Sequence, residues 1–276
     1  MAQQERPSPE KPEKVIPPPA LETPECSLQA IPKSFRRQSP REIEVRYFVP
    51  DALTESLTAR KEYIVIEQHY FPQKTVRDLV QQFGVSRVVA DYDDFSTARI
   101  RRTKYSEDVT IFELEFKGPK VLAAGAPISR SEFGIAISKE LFEELSGDAT
   151  AGSLKKRRYN INGKIEDGSA WKSATGHLDI VRRAGPSLEK VRPCFATIDI
   201  ELSTARLLPA LRAGRHSFRF LRECVEINRM DSDIRSSIAN SSIARNGLQD
   251  EQKEALKELS QEAKRLSTLN RKLHGQ

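Results

Sequence analysis

The chain has 276 residues, 38% hydrophobic and 30% charged, enough for one large domain or two small ones with a full core. Its net charge of +6 is modest for that length, so charge alone does not point to nucleic acid. No apolar run reaches membrane-spanning length, no secretory pattern opens the sequence, and three scattered cysteines (Cys26, Cys194, Cys224) form neither a disulfide framework nor a zinc site; a cytoplasmic, reduced protein is expected.

Residues 1–40 hold nine of the sixteen prolines and few large apolar residues, and read as a disordered tail. A strand follows over 42–49, where Glu42, Glu44 and Arg46 share one face and Ile43, Val45 and Tyr47 the other. Residues 51–60 fit a short helix or turn. Residues 62–71 are rich in β-branched and aromatic side chains and form a second strand, stopped by Pro72. The spacing of Val76, Leu79, Val80 and Phe83 predicts a helix over 75–83. Strands come next at 96–103, with Arg99 and Arg101 aligned, and at 110–117, with Glu113, Glu115 and Lys117 aligned.

Arg130 and Glu132 share a face of a strand over 128–137, and Ser138 is placed to cap a helix over 139–146. Three further strands are predicted. Residues 155–161 carry Lys156 and Arg158, residues 171–181 carry His177 and Asp179, and residues 196–202 carry Asp199 and Glu201. Helical spacing returns at 207–211 and 218–227, and 250–273 is a long amphipathic helix. That helix is expected to dock on its own chain, with pairing to a second copy as the alternative. Three segments result: the tail, a domain over 41–247, and the terminal helix over 248–276.

About eight mostly antiparallel strands with interspersed helices make an α+β protein, and strands of that number close into a barrel that has no exposed edge. The helices need the apolar strand faces, which turns the charged faces inward. A membrane barrel joins its strands by turns instead of amphipathic helices, so that reading is rejected. Clustered carboxylates need a counter-charge and clustered guanidinium groups need an anion. One arrangement satisfies both: a divalent cation on the carboxylates, a polyphosphate on the Arg/Lys set, and the metal bridging the two. His69 and His177 read as structural, and Trp171 as a core or rim anchor.

The ordered runs E-I-E-V-R-Y-F-V, I-E-Q-H-Y, R-I-R-R, F-K-G-P, R-S-E-F, K-K-R-R-Y, L-D-I and I-D-I-E-L, with S-D-I-R-S-S-I-A-N-S-S-I-A-R-N-G near the end, resemble the CYTH proteins, or triphosphate tunnel metalloenzymes, of the bacterial type. The resemblance covers roughly residues 41–247. It implies an eight-stranded antiparallel tunnel with a charged interior, a hydrolase that cleaves the terminal phosphoanhydride of inorganic or nucleoside triphosphates, and Mg²⁺ or Mn²⁺ as cofactor. It assigns catalysis to Glu42, Glu44 and Arg46, and metal binding to Glu42, Glu44, Asp199 and Glu201. Phosphate binding falls to Arg99, Arg101, Lys117, Arg130, Lys156 and Arg158, with Glu67, Glu132 and Asp179 in support. Three positions depart from the family pattern: Arg46 stands for the signature lysine, Gly134 for a second glutamate, and Asp199 for a more usual glutamate. The alternatives are an adenylate cyclase of the same fold and a non-catalytic polyphosphate- or nucleotide-binding module. A triphosphate-containing small molecule is the expected partner; neither a membrane nor nucleic acid is, since stacking aromatics are lacking.

Overall fold

The computed structural model describes residues 38, 40–59, 61–119, 125–185 and 195–274. Nearly all of the proline-rich tail lies outside them, as do Cys26 and Cys194; Cys224 is buried and free. Eight strands form the barrel: β1 (Arg41–Val49), β2 (Ile64–Tyr70), β3 (Thr97–Lys104), β4 (Thr110–Lys117), β5 (Ile128–Ala136), β6 (Gly152–Asp167), β7 (Ala170–Gly185) and β8 (Phe195–Glu201). Neighbours run β5-β4-β3-β2-β6-β7-β8-β1, all antiparallel, and β1 bonds back to β5, so the ring is closed. A two-residue strand, β9 (Val225–Glu226), adds to β1 outside the ring.

Helices α1 (Asp51–Thr58), α2 (Val76–Gln82), α3 (Val85–Val88), α4 (Lys139–Asp148), α5 (Leu208–Arg212), α6 (Ser232–Ser237), α7 (Asn240–Asn246) and α8 (Asp250–His274) surround it. None is long and apolar enough to cross a membrane among the described residues. Their starts and stops follow local chemistry. The Ser138 hydroxyl accepts a bond of 3.1 Å from the Leu141 N–H and opens α4. Gly247, at φ 68°, takes the left-handed turn that ends α7.

The core lies outside the barrel, between strand faces and helices. Ile100, Leu114 and Phe116 pack against Val76, Leu79 and Val80 of α2 and Phe142 and Leu145 of α4. On another side Val45, Tyr47, Leu178, Ile198 and Ile200 pack against Leu208 and Leu211 of α5 and against Phe218. Burying each large apolar side chain contributes about 1.5–3 kcal/mol, and this outer burial is what obliges the alternate, charged positions to face inward.

At one end the inward positions change from charged to apolar. Phe48 follows Arg46 on β1, and Leu154, Val181 and Phe195 join it around Ile243 and Ala244 of α7. That helix plugs the barrel, and α8 seals it from behind through Ala255, Leu259 and Ala263. The terminal helix is thus docked on its own chain.

Two expectations are corrected and one is narrowed. Strands β6 and β7 run sixteen residues each, past the predicted 155–161 and 171–181, because their ladder continues at both ends. Gly163 is needed there, since the Phe218 ring occupies the place of a β-carbon. Residues 218–227 form a short 3₁₀ turn (Arg219–Glu223) and β9 instead of a helix. Of the two places expected for Trp171, core or rim, the core is excluded: it is 54% exposed at the start of β7.

Gly152 adopts φ 127°, and a β-carbon there would collide with the Ala244 carbonyl. Gly152→Ala is expected to lower the urea unfolding free energy by roughly 2 kcal/mol or more through backbone strain and displacement of the plug; an unchanged midpoint would show that α7 is not seated on β6.

Candidate functional site

The ladder sets which charges meet. Glu42 lies opposite Arg130, Glu44 opposite Glu201, and Arg46 opposite Asp199. On the other wall Arg99 faces Glu115, Arg101 faces Glu113, and Lys117 faces Glu132, while Arg158 faces Asp179. Except for Glu113, Glu115 and Asp179, these side chains line a cavity of about 400 Å³ inside the barrel. Glu42, Glu44, Arg46, Asp199 and Glu201 line one side of it, and Arg99, Arg101, Lys117, Arg130, Lys156 and Arg158 the other, with Glu132 beside Lys117.

Arg46 and the six cations predicted to bind phosphate are each matched by a carboxylate. Arg46 grips Asp199 with both prongs, Nε to Oδ1 at 2.5 Å and Nη2 to Oδ2 at 2.7 Å, and its Nη2 reaches Glu44 at 3.3 Å. Lys117 meets Glu132 at 2.7 Å and Glu42 at 3.4 Å, and Arg130 meets Glu42 at 2.8 Å. Arg101 holds Glu113 at 2.6 Å and Glu115 at 2.7 Å, and Arg99 also donates to Glu115. Asp179, behind the cavity wall, receives Lys156 and a two-pronged Arg158 at 2.7 and 2.8 Å.

Burial and neighbouring charge set the protonation of these groups. Burial favours the neutral form of Glu42, but Lys117 and Arg130 outweigh it and hold its carboxyl far below the usual range. Glu44 goes the other way: burial raises it, the nearby Asp199 raises it further, and Arg46 offsets only part. Burial likewise opposes ionisation of Glu115, yet Arg99 and Arg101 bring it to about 2. Lys156 is pulled down to about 8 by burial, against the attraction of Asp179.

One predicted residue lies elsewhere. Glu67 projects from the outer face of β2, where it pairs with Arg102 at 2.5 Å and His69 at 2.9 Å, because Gln68 and not Glu67 stands opposite Arg101. His69 is structural, bonded to Glu67 and Ser153. His177, read as structural, does line the cavity and meets Glu201 at 3.0 Å. Its signal was present, since it shares a strand face with Asp179. Asn240 of α7 also reaches the cavity and had no signal in the charge pattern.

Among the described residues no three His, Cys, Asp or Glu side chains sit together as a ready-made metal site. The expected set of Glu42, Glu44, Asp199 and Glu201 is divided. Arg46 takes both oxygens of Asp199, and Arg130 and Lys117 take Glu42. Glu44 and Glu201, cross-strand partners, are the two least engaged by guanidinium or ammonium groups.

The chain matches no family model and no curated protein sequence. It is similar to solved structures at low identity. The inorganic triphosphatase NE1496 is 16% identical over 76% of this chain and 98% of its own, with a TM-score of 0.37. HpAC1 from Hippeastrum, described as an adenylyl cyclase with a dominant triphosphatase activity, is 13% identical over 76% of this chain and 99% of its own, at 0.46. PH1819 from Pyrococcus horikoshii OT3 is 19% identical over 63% and 85%, at 0.37. Likeness at this level leaves the function of the chain to its own residues.

The pairing of Arg46 with Asp199 is measurable. Arg46→Met leaves a buried carboxylate without its partner and is expected to cost about 3–5 kcal/mol in urea denaturation, while the double variant Arg46→Met/Asp199→Leu recovers most of it. Equal losses in both variants would mean the pair is not a unit.

Proposed function

We propose that the barrel binds the triphosphate moiety of a small molecule and hydrolyses its terminal phosphoanhydride. One observation supports this reading: eight cationic side chains from five strands converge, with carboxylates, on a single cavity in the barrel. Arginine forks grip phosphate oxygens bidentately and lysine supplies a point charge. Transfer of a phosphoryl group to water needs positioning and charge neutralisation, and no nucleophilic side chain. Arg99, Arg101, Lys117 and Arg130 bind one flank of the anion, and Lys156 and Arg158 the other. The apolar plug around Phe48 and Ile243 keeps bulk water from that end.

Mg²⁺ or Mn²⁺ is the cofactor this reading calls for. Such ions bind through one or two carboxylates together with water and phosphate oxygens, which suits Glu44 and Glu201 without Asp199. Bound there, the ion supplies charge neutralisation and a more acidic water. Glu42 and Asp199 act by holding Arg130 and Arg46 in place.

Orthophosphate release from tripolyphosphate, ATP and thiamine triphosphate with Mg²⁺ or Mn²⁺ tests the proposal. Glu44→Gln is expected to lower the metal-dependent rate at least about 100-fold with an unchanged circular dichroism spectrum, and a wild-type rate would refute the assignment. The grip of Arg46 on Asp199 favours a second reading, a non-catalytic binder, which tight calorimetric binding without phosphate release under either ion would select.

Anion affinity should also depend on pH. Lys156 loses its proton at about 8 in the fold, against an ordinary 10.5, so between those values the unfolded chain binds more protons. Stability from this group therefore grows as pH rises through that window, while the charge that attracts phosphate is lost. Tripolyphosphate affinity is expected to fall between about pH 7 and about pH 9, and Lys156→Arg, which stays charged, should flatten that fall; an identical profile in the variant would assign the step to another group.

A further inference from the structure

The cavity space does not end at the site above. A second cavity, of about 160 Å³, adjoins the first and shares Arg46, Arg99, Lys117, Arg130 and Asn240 with it. The rest of its wall comes from Tyr70, Ser96, Thr97, Gly118, Pro119 and Ser241. The two chambers differ in sign. Glu42, Glu44, Glu132, Asp199 and Glu201 line the outer one, whereas among the described residues no carboxylate lines the inner one.

Four cationic groups therefore turn a second side towards a chamber whose other polar groups are hydroxyls and one amide. Arg46, Arg99 and Lys117 are each more than nine-tenths buried, so this side of their charge is withheld from water. Arg99 and Arg130 also crowd Lys117 with like charge. An anion with several acceptor oxygens answers that arrangement: the guanidinium and ammonium groups and the hydroxyls of Ser96, Thr97 and Ser241 can donate to it, while the Tyr70 hydroxyl donates to Gln68 and accepts from Arg99.

We propose that the inner chamber is a second phosphate site, one phosphate group beyond the triphosphate site, filled by the fourth phosphate of a linear polyphosphate or by free orthophosphate. This rests on the triphosphate reading of the outer cavity. Ser96 and Ser241 line the inner chamber and not the outer one, so they separate the two.

Calorimetry on the full chain without divalent cation, so that nothing turns over, tests it with tripolyphosphate, tetrapolyphosphate and orthophosphate as probes. Tetrapolyphosphate is expected to bind about tenfold more tightly than tripolyphosphate, the gain of one set of charge-assisted bonds. Alternatively, protein saturated with tripolyphosphate binds orthophosphate as well, which identifies the free ion as the occupant. Ser241→Glu and, independently, Ser96→Asp are expected to erase either effect while tripolyphosphate affinity stays within about twofold. Equal affinities for the two polyphosphates, with no orthophosphate binding, would overturn the inner site and leave the triphosphate reading standing. An effect that survives both variants would place the extra phosphate elsewhere and overturn it too. Failure of tripolyphosphate itself to bind would remove both readings.

Discussion

The barrel exists in this form because charge buried inside it is cancelled locally. Taking a guanidinium and a carboxylate out of water costs several kcal/mol per ion, and attraction offsets that only where geometry is good and remaining donors are satisfied. Arg46 on Asp199 and Arg158 on Asp179 meet that condition with two bonds each. The stability that tolerates such an interior comes from elsewhere, from the apolar outer faces under α2, α4 and α5. Division of labour follows from the two-residue period of a strand: one side of each ribbon supplies adhesion and the other carries chemistry.

Much of this was legible in the residues. Alternation over β1, β4 and β8 was clean enough to fix which side turned inward, and Glu42, Glu44, Asp199 and Glu201 all landed on one cavity. Alternation failed on β2 because both of its faces carry polar groups. Glu67 and His69 lie on one face and Gln68 and Tyr70 on the other, so composition could not choose, and only pairing to β3 did. The plug was missed for a different reason. Residues 232–246 are mostly small and polar, and their few large apolar side chains, Ile234, Ile238 and Ile243, do not form a stripe until the barrel mouth is there to receive them.

Partner choice within the cavity lies beyond any pattern in the chain. Asp199 read as a metal ligand, yet it stands opposite Arg46 in the ladder, and a planar fork on a neighbouring strand reaches it directly. A lysine at that position would offer a single ammonium, without the paired contact. The identity of one residue therefore decides how many carboxylates stay open to other cations, and Gly134, opposite Glu115, adds no side chain to the interior wall.

Closure of the ring also bears on how the molecule is made. β1 is held by β5, by β8 and by β9, so its partners are spread from Ile128 to Glu226. Contacts so distant along the chain are slow to form, since the intervening loop entropy is surrendered first. During synthesis β1 waits with a row of charges until β5 emerges to pair one edge and β8 the other, and the stopper helix arrives later still. The charged face that serves the finished cavity thus has an earlier use: it keeps a lone ribbon soluble and discourages it from pairing with strangers.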